Sequence, residues 1–193
     1  MIAHFGAWLD EAHAIDFKPV EGHFAEAMTR QADASLVPAH EVWPLLDGFF
    51  ATEMHRQTLV PHAREALAEI AKAADILILT NLGDHCHPGR VAQLDALGIR
   101  HQVRCNQGGK GGPVAQEIAA RRPSACVFVD DLAVHHASVA EHAPSVWRLH
   151  MVAEPSIAGA VPPAPAAHAR IDDWAEALPW VLEKLRGGPA PEA

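Results

Sequence analysis

The chain has 193 residues, of which 49% are hydrophobic, so it is long and apolar enough to bury the core of one globular domain. A formal net charge of −9 argues against binding to nucleic acid phosphates, which requires a basic face. No apolar run approaches the roughly 20 residues of a membrane span, and Asp10 and Glu11 lie where a signal peptide would have its apolar core. The three cysteines lack paired spacing and indicate free thiols. We therefore expect a soluble cytoplasmic protein that binds neither nucleic acid nor membranes.

The N-terminal residues 1–57 have a helical pattern without a buried strand. Apolar residues at helical spacing predict one helix over 2–14 and another over 42–54, although a proline and a glycine weaken the second. The intervening residues 15–37 show little periodicity and predict a loop with one short helix around 24–31. We expect this segment to pack over another part of the protein, because its aromatic residues would otherwise face water.

From residue 58 onward, strand and helix patterns alternate. Helices are predicted over 61–74, 89–97 and 113–122, then up to about 142 and over 174–185, and strands over 76–79, 99–105, 126–129 and 146–152. This alternation predicts an α/β domain with a parallel sheet covered by helices on both faces. A proline-rich stretch predicts an irregular arm over 153–167, and residues 187–193 predict a disordered tail.

Two adjacent carboxylates, Asp130 and Asp131, directly follow the apolar run 126–129. A fully apolar run of this length is typical of a strand buried on both faces, and α/β sheets bind ligands at the carboxyl ends of such strands. Neighbouring carboxylates repel each other unless a positive charge lies between them, which favours a hard cation such as Mg²⁺. The alternative is that the pair caps the following helix. On that helix we expect one of His135 and His136 to face the core and the other to face solvent.

Two further polar features lie at predicted strand ends or loops of the same sheet edge. Thr80 and Asn81 follow the apolar run 76–79, and Lys110 lies in a glycine-rich loop that leads into a helix. Phosphoryl transfer requires three kinds of group: a hydroxyl with backbone amides, a fixed ammonium, and a carboxylate pair that holds Mg²⁺. Taken singly, Thr80 could simply end a strand, and Lys110 could be a solvated loop residue.

In this order, these residues resemble the motifs of the haloacid dehalogenase (HAD) superfamily of hydrolases. Thr80 with Asn81 resembles the second motif, Lys110 the third and Asp130–Asp131 the fourth. The resemblance implies a three-layer, Rossmann-like parallel sheet with a small helical cap. The corresponding domains are a cap-like segment over 1–57, a core over 58–186 and the tail over 187–193.

The resemblance also implies a function for these residues. It implies a Mg²⁺-dependent hydrolase, most simply a phosphatase that acts on a small phosphorylated metabolite. Catalysis would involve Thr80, Lys110 and Asp130, and the phosphate would be bound by Thr80, Asn81 and Lys110. The metal would be held by Asp130 and Asp131.

One motif of this family has no counterpart in residues 1–193. The family's first motif is an apolar strand that ends in Asp-x-Asp, supplies the nucleophile and lies at the sheet centre, between the strands that end at Thr80 and Asp130. Asp10 and Asp16 are poor substitutes, because neither ends a buried strand. Without this strand the sheet would be left as two halves with unpaired backbone edges.

We expect the natural chain to extend upstream through the missing strand, and residues 1–193 alone to be inactive, because the covalent step lacks its carboxylate. One alternative is a non-catalytic pseudoenzyme or interaction module that keeps a phosphate or Mg²⁺ pocket on the same fold. The other is a protein that another chain completes.

Overall fold

The computed structural model describes residues 1–18 and 24–190. The helices are α1 (Ile2–His13), α2 (Ala39–Thr52), α3 (Ala63–Ile70), α4 (His87–Ala96), α5 (Gly111–Arg121), α6 (Ala133–His142), α7 (Pro155–Ala158) and α8 (Trp174–Gly187). The strands are β1 (Ile15–Phe17), β2 (Met28–Arg30), β3 (Leu77–Thr80), β4 (Gln102–Cys105), β5 (Val127–Asp130), β6 (Trp147–His150) and β7 (Ala169–Arg170). The α/β class predicted from the alternating pattern is confirmed. Within the described ranges, no helix has both the length and the apolar character needed to cross a bilayer.

The chain divides into two units, of which the first comprises Met1–Thr58 and Pro88–Leu97. Its core is aromatic and centres on the fully buried Phe5. The rings of Phe17 and Phe49 lie edge-on to Phe5 at centroid distances of 5.3 Å, and Phe24 stacks on it at 5.8 Å. The aromatic residues of this segment therefore pack against one another within the first unit.

Two local features of the first unit differ from the sequence pattern. The region 15–37 contains an antiparallel pairing of β1 with β2, where the sequence predicts no strand. The short helix predicted around 24–31 is present in part, as a 3₁₀ helix over Phe24–Ala27 that leads into β2. Residues 19–23 lie outside the described part of the chain. Strands of three residues are too short to show alternation. The helix α2 runs through Pro44, because its buried residues Val42 and Phe49 hold it against the aromatic core.

The second unit comprises residues 59–87 and those from Gly98 onward, and it is built in layers. Val127 and Val129 of β5 face a cluster that includes Val181 of α8. Phe128 points to the opposite face, where it packs with Val139 of α6. Because helices cover both faces of β5, every residue of this strand must be apolar up to its polar end, and this accounts for the unbroken apolar run.

The parallel strands of this unit form two sheets. One contains β3 and β4, and the other has the order β5-β6-β7. Within the described residues, β3 and β5 are each paired on one side only. The HAD resemblance predicts such halves for a sheet that lacks its central strand.

The end of the chain is described up to residue 190. The predicted tail over 187–193 begins with hydrogen-bonded residues: the indole of Trp147 donates to the Gly188 carbonyl at 2.9 Å, and the Ala190 N–H donates to the Ser145 carbonyl at 2.8 Å. Residues 191–193 lie outside the described residues. The predicted division into 1–57, 58–186 and 187–193 stays a prediction.

Candidate functional site

Asp130, the last residue of β5, is fixed in place from several directions. Its main-chain carbonyl accepts hydrogen bonds from the Met151 N–H at 2.9 Å and from His136 Nε2 at 3.0 Å. Its carboxylate accepts the Leu132 N–H at 2.9 Å and the Lys110 ammonium at 2.6 Å. The alternative that the acidic pair caps α6 is wrong, because the cap residue is Leu132 and no side chain caps this helix.

Lys110 directly precedes α5, and the packing of α5 on α6 places its side chain beside Asp130. The Gly111 N–H donates to the Ser138 hydroxyl at 3.0 Å. The two backbones approach so closely here that a Cβ on Gly111 would lie 2.0 Å from the Ser138 carbonyl oxygen. The side chains of Lys110 and Asp130 are only 12% and 3% exposed. A salt bridge this deeply buried is weak evidence for stability, since desolvation opposes the attraction between the charges.

Asp131 lies at the protein surface beside this ion pair. Partial desolvation by the neighbouring protein, together with the charge of Asp130, raises the pKa of Asp131. Its main-chain carbonyl accepts a hydrogen bond from His150 Nε2 at 3.0 Å, which fixes the backbone. The carboxylate therefore lies in an environment that disfavours its own negative charge and would favour a nearby cation.

Thr80 and Asn81 lie at the end of β3, on the same edge of the unit. The Thr80 carbonyl accepts the Asn106 N–H at 2.9 Å, as part of the pairing with β4. The Asn81 side-chain nitrogen donates to the Gly108 carbonyl at 3.0 Å, and its side-chain oxygen accepts from the side-chain nitrogen of Asn106 at 2.9 Å. The loop after β3 is thus tied to the glycine-rich loop that leads into α5.

His135 joins these loops to the helix that follows the acidic pair. Its Nε2 lies 3.3 Å from the Asn81 side-chain nitrogen, and its Nδ1 is buried without a hydrogen-bond partner among the described residues. Burial lowers the pKa of His135; the charge of Asp130 opposes this shift and that of Lys110 adds to it. The prediction that one of His135 and His136 faces solvent is wrong, because they are only 5% and 0% exposed.

Among the sequence-predicted residues, the structure brings Lys110 into contact with Asp130, and Asn81 into contact with the loop before Lys110. Thr80 and Asp131 adjoin this group along the chain. Asn106, His135 and Ser138 contact and position these residues, a role that the sequence pattern does not assign to them. Asn106 also follows a strand, and that position is a signal that could have indicated it.

No protein-family model matches the sequence, and no curated protein matches it significantly. Among solved structures, the chain is similar to a haloacid dehalogenase-like hydrolase from Streptococcus pneumoniae, with a TM-score of 0.62 and 11% identity over 93% of this chain and 90% of that one. It is also similar to a dehalogenase whose structure includes an intermediate complex, with a TM-score of 0.51 and 15% identity over 72% of each chain. These likenesses show that the chain has a HAD-like fold, and the resemblance is confirmed at that level.

Proposed function

We propose that the protein is a Mg²⁺-dependent hydrolase that removes phosphate from a small phosphorylated metabolite. The observation that carries this proposal is the buried Lys110–Asp130 ion pair at the carboxyl ends of the parallel strands, beside the Asp131 carboxylate. Apolar residues of similar volume could fill this place without the cost of burying two charges. A cation and paired carboxylates at a ligand-binding edge are therefore better explained by the binding of a charged ligand than by stability. The hydrolase name of the Streptococcus pneumoniae protein is consistent with this proposal.

The donor set fits Mg²⁺, which prefers carboxylate oxygens. Each Asp130 carboxylate oxygen accepts one hydrogen bond, from Lys110 or from the Leu132 N–H, and a carboxylate has about four lone-pair sites, so acceptor capacity remains. A cation near Asp131 would reverse the unfavourable effect of Asp130 on its charge. Asp130 and Asp131 would therefore hold the metal, which would neutralise charge on phosphate oxygens.

The chain's own groups would bind the anion around this centre. The Lys110 ammonium is held 2.6 Å from the Asp130 carboxylate and would attract a phosphate oxygen to the end of β5, where Asp130 and Asp131 lie. The Thr80 hydroxyl and the Asn81 backbone amide, at the end of β3, would donate hydrogen bonds to other phosphate oxygens. The net charge of −9 disfavours nucleic acid as the substrate, so we propose a small molecule and no membrane partner.

A non-catalytic phosphate- or Mg²⁺-binding module on the same fold is the second candidate. One observation favours it: among the described residues, no further buried strand ends in an acidic residue that could act as the nucleophile. We accordingly expect the 193-residue chain to bind the anion but to turn over little or not at all.

The test is hydrolysis of a generic aryl phosphate with Mg²⁺, with the 193-residue chain compared to a natural form extended upstream. We expect turnover in the extended form only, and its loss in the extended Asp130→Asn variant. The matched control is Glu141→Gln, which removes a 78% exposed carboxylate near the far end of α6 and should leave the rate unchanged. Equal, robust rates from both forms would show that no nucleophile is missing. A fully active Asp130→Asn variant would exclude the acidic pair from the catalytic mechanism. Mg²⁺ binding without turnover in the extended form would favour the non-catalytic module.

A further inference from the structure

Two fully buried histidines contact the main chain of the acidic pair. They are His136, on α6, and His150, the last residue of β6. His136 Nε2 lies 3.0 Å from the Asp130 carbonyl oxygen, and His150 Nε2 lies 3.0 Å from the Asp131 carbonyl oxygen. The two imidazole rings pack edge-on against each other at a centroid distance of 5.4 Å. Each histidine therefore holds one acidic residue, and the two rings fix each other's orientation.

The hydrogen-bond partners determine which ring nitrogen carries the hydrogen. A carbonyl oxygen can only accept, so Nε2 is the donor in both rings. His150 Nδ1 accepts the Ala164 N–H at 3.0 Å and therefore carries no hydrogen. His136 Nδ1 is buried without a hydrogen-bond partner among the described residues, so a hydrogen on it would be an unsatisfied buried donor. Both rings are therefore neutral and donate through Nε2.

Neither backbone satisfaction nor packing requires a histidine at position 136. The Asp130 carbonyl already accepts the Met151 N–H at 2.9 Å, which continues the pairing of β5 with β6. The bond from His136 is a second bond to the same oxygen. The His136 ring also packs edge-on to Phe128 at 5.4 Å, so an apolar side chain could occupy this place. The polar ring is therefore better explained by the carbonyl that it holds.

Together, the two hydrogen bonds fix the direction of the Asp131 side chain. Peptide groups are planar, so only two dihedral angles separate the peptide group before Asp131 from the one after it. The Asp130 carbonyl belongs to the first of these groups and the Asp131 carbonyl to the second. Because both groups are held, the Cα–Cβ bond of Asp131 has a fixed direction, although this residue lies at the surface beyond the end of β5.

We propose that His136 and His150 are positioning residues, which hold the carboxylates of Asp130 and Asp131 in the arrangement that binds Mg²⁺. This inference rests on the proposed function, in which the acidic pair holds the metal. Mg²⁺ demands near-ideal octahedral geometry, so its affinity depends on how accurately its ligands are placed. Groups that orient metal ligands typically contribute about 10–100-fold in metal affinity. The histidines act through the main chain and do not touch the metal.

The first measurement needs neither a substitution nor a metal. Long-range proton–nitrogen correlation NMR spectra of the 193-residue chain distinguish ring nitrogens that carry a hydrogen from those that do not. At neutral pH we expect both His136 and His150 to carry hydrogen on Nε2 only. A hydrogen on Nδ1 of either ring would overturn the proposal, because that ring would then be charged or would lack the donor that holds the carbonyl.

The second measurement tests, again without metal, whether His136 positions Asp130. The Leu132 N–H donates to the Asp130 carboxylate at 2.9 Å, so its hydrogen exchange reports the placement of that carboxylate. The Ala143 N–H donates to the Val139 carbonyl at 2.9 Å at the other end of α6, so its exchange reports the stability of the helix. His136→Phe keeps a planar ring but removes the donor. We expect it to speed exchange at Leu132 by at least about tenfold more than at Ala143. Equal acceleration of the two amides would overturn the proposal.

The third measurement is the affinity of the 193-residue chain for Mg²⁺, by isothermal titration calorimetry. We expect His136→Phe and His150→Phe to weaken binding by about 10–100-fold. Glutamine at either position keeps an N–H donor of similar reach and should restore most of the affinity, whereas asparagine is too short to do so. The matched control is Trp147→Phe, which removes the indole bond to the Gly188 carbonyl at the other end of β6 and should leave the affinity unchanged.

Unchanged Mg²⁺ affinity in the phenylalanine variants, or an equal loss in Trp147→Phe, would overturn the proposal. If a phenylalanine variant does not fold, asparagine and glutamine at the same position make the same comparison, and equal affinities of those two would overturn it. Failure of the proposed function is distinguishable. If the unsubstituted chain binds no Mg²⁺ but exchange at Leu132 responds as expected, the proposed function loses its metal, whereas the positioning of Asp130 by His136 is upheld.

Discussion

Replacement of Gly111 by alanine tests whether the close approach of α5 to α6 builds the site. The added Cβ would lie 2.0 Å from the Ser138 carbonyl oxygen, whereas Cβ atoms in proteins essentially never come within 3.0 Å of such an atom. The helices must therefore separate by about 1.0 Å, the difference of these distances. The atom that the Cβ meets belongs to the backbone, so a rotamer change cannot relieve the clash.

The expected loss of stability follows from three contributions. Overpacking costs about 1–3 kcal/mol, and loss of the Gly111 N–H bond to the Ser138 hydroxyl costs about 1 kcal/mol. The better helix propensity of alanine offsets at most about 1 kcal/mol. We expect the Gly111→Ala variant to lose about 1–3 kcal/mol of unfolding free energy, measured by urea denaturation.

The neighbouring Gly112 is a matched control, because nothing lies within 4 Å of a Cβ added there. Gly112→Ala should leave the unfolding free energy unchanged or raise it by up to about 1 kcal/mol. If the two variants have equal stability, the close contact of α5 with α6 does not exist in solution. Packing of α5 on α6 would then not be what holds Lys110 beside Asp130.

Two further predictions concern the second unit. His168 Nδ1 accepts the Arg148 N–H at 3.0 Å, and burial together with the Arg148 charge lowers the pKa of His168. Near pH 6.5 the unfolded chain therefore binds a proton at His168 that the folded chain does not bind. The free energy of unfolding should fall as the pH drops through that value. The His168→Asn variant keeps a hydrogen-bond acceptor but does not titrate, so its free energy of unfolding should fall less. Urea unfolding at about pH 7.5 and about pH 5.5 measures this difference, and equal losses in both proteins would contradict it. The Asp173 carboxylate accepts the N–H groups of Ala175 at 2.7 Å and Glu176 at 3.2 Å, so Asp173→Ala should cost about 1 kcal/mol in the same assay, and Asp173→Asn much less. An unchanged Asp173→Ala variant would show that this cap adds nothing to α8.

The sequence predicts β5 well because both faces of this strand are buried, so its apolar character is continuous and its polar end is sharp. The pairing of β1 with β2 could not be predicted in this way. Each of these strands has only three residues, and their pairing depends on contacts with the aromatic core around Phe5. In α2, by contrast, the sequence predicts the helix but Pro44 weakens the prediction. Packing against the core outweighs the local cost of this proline, and the helix forms.

For the candidate site, the sequence predicts the residues at the ends of strands, because position along the chain is enough to place them at one edge. It does not predict that His135 and His136 are both buried, because their burial depends on how the second unit packs around α6. Nor does it predict Ser138, which receives the Gly111 N–H only because the two helices touch. Contacts between elements distant in the chain leave no periodic signal in the sequence.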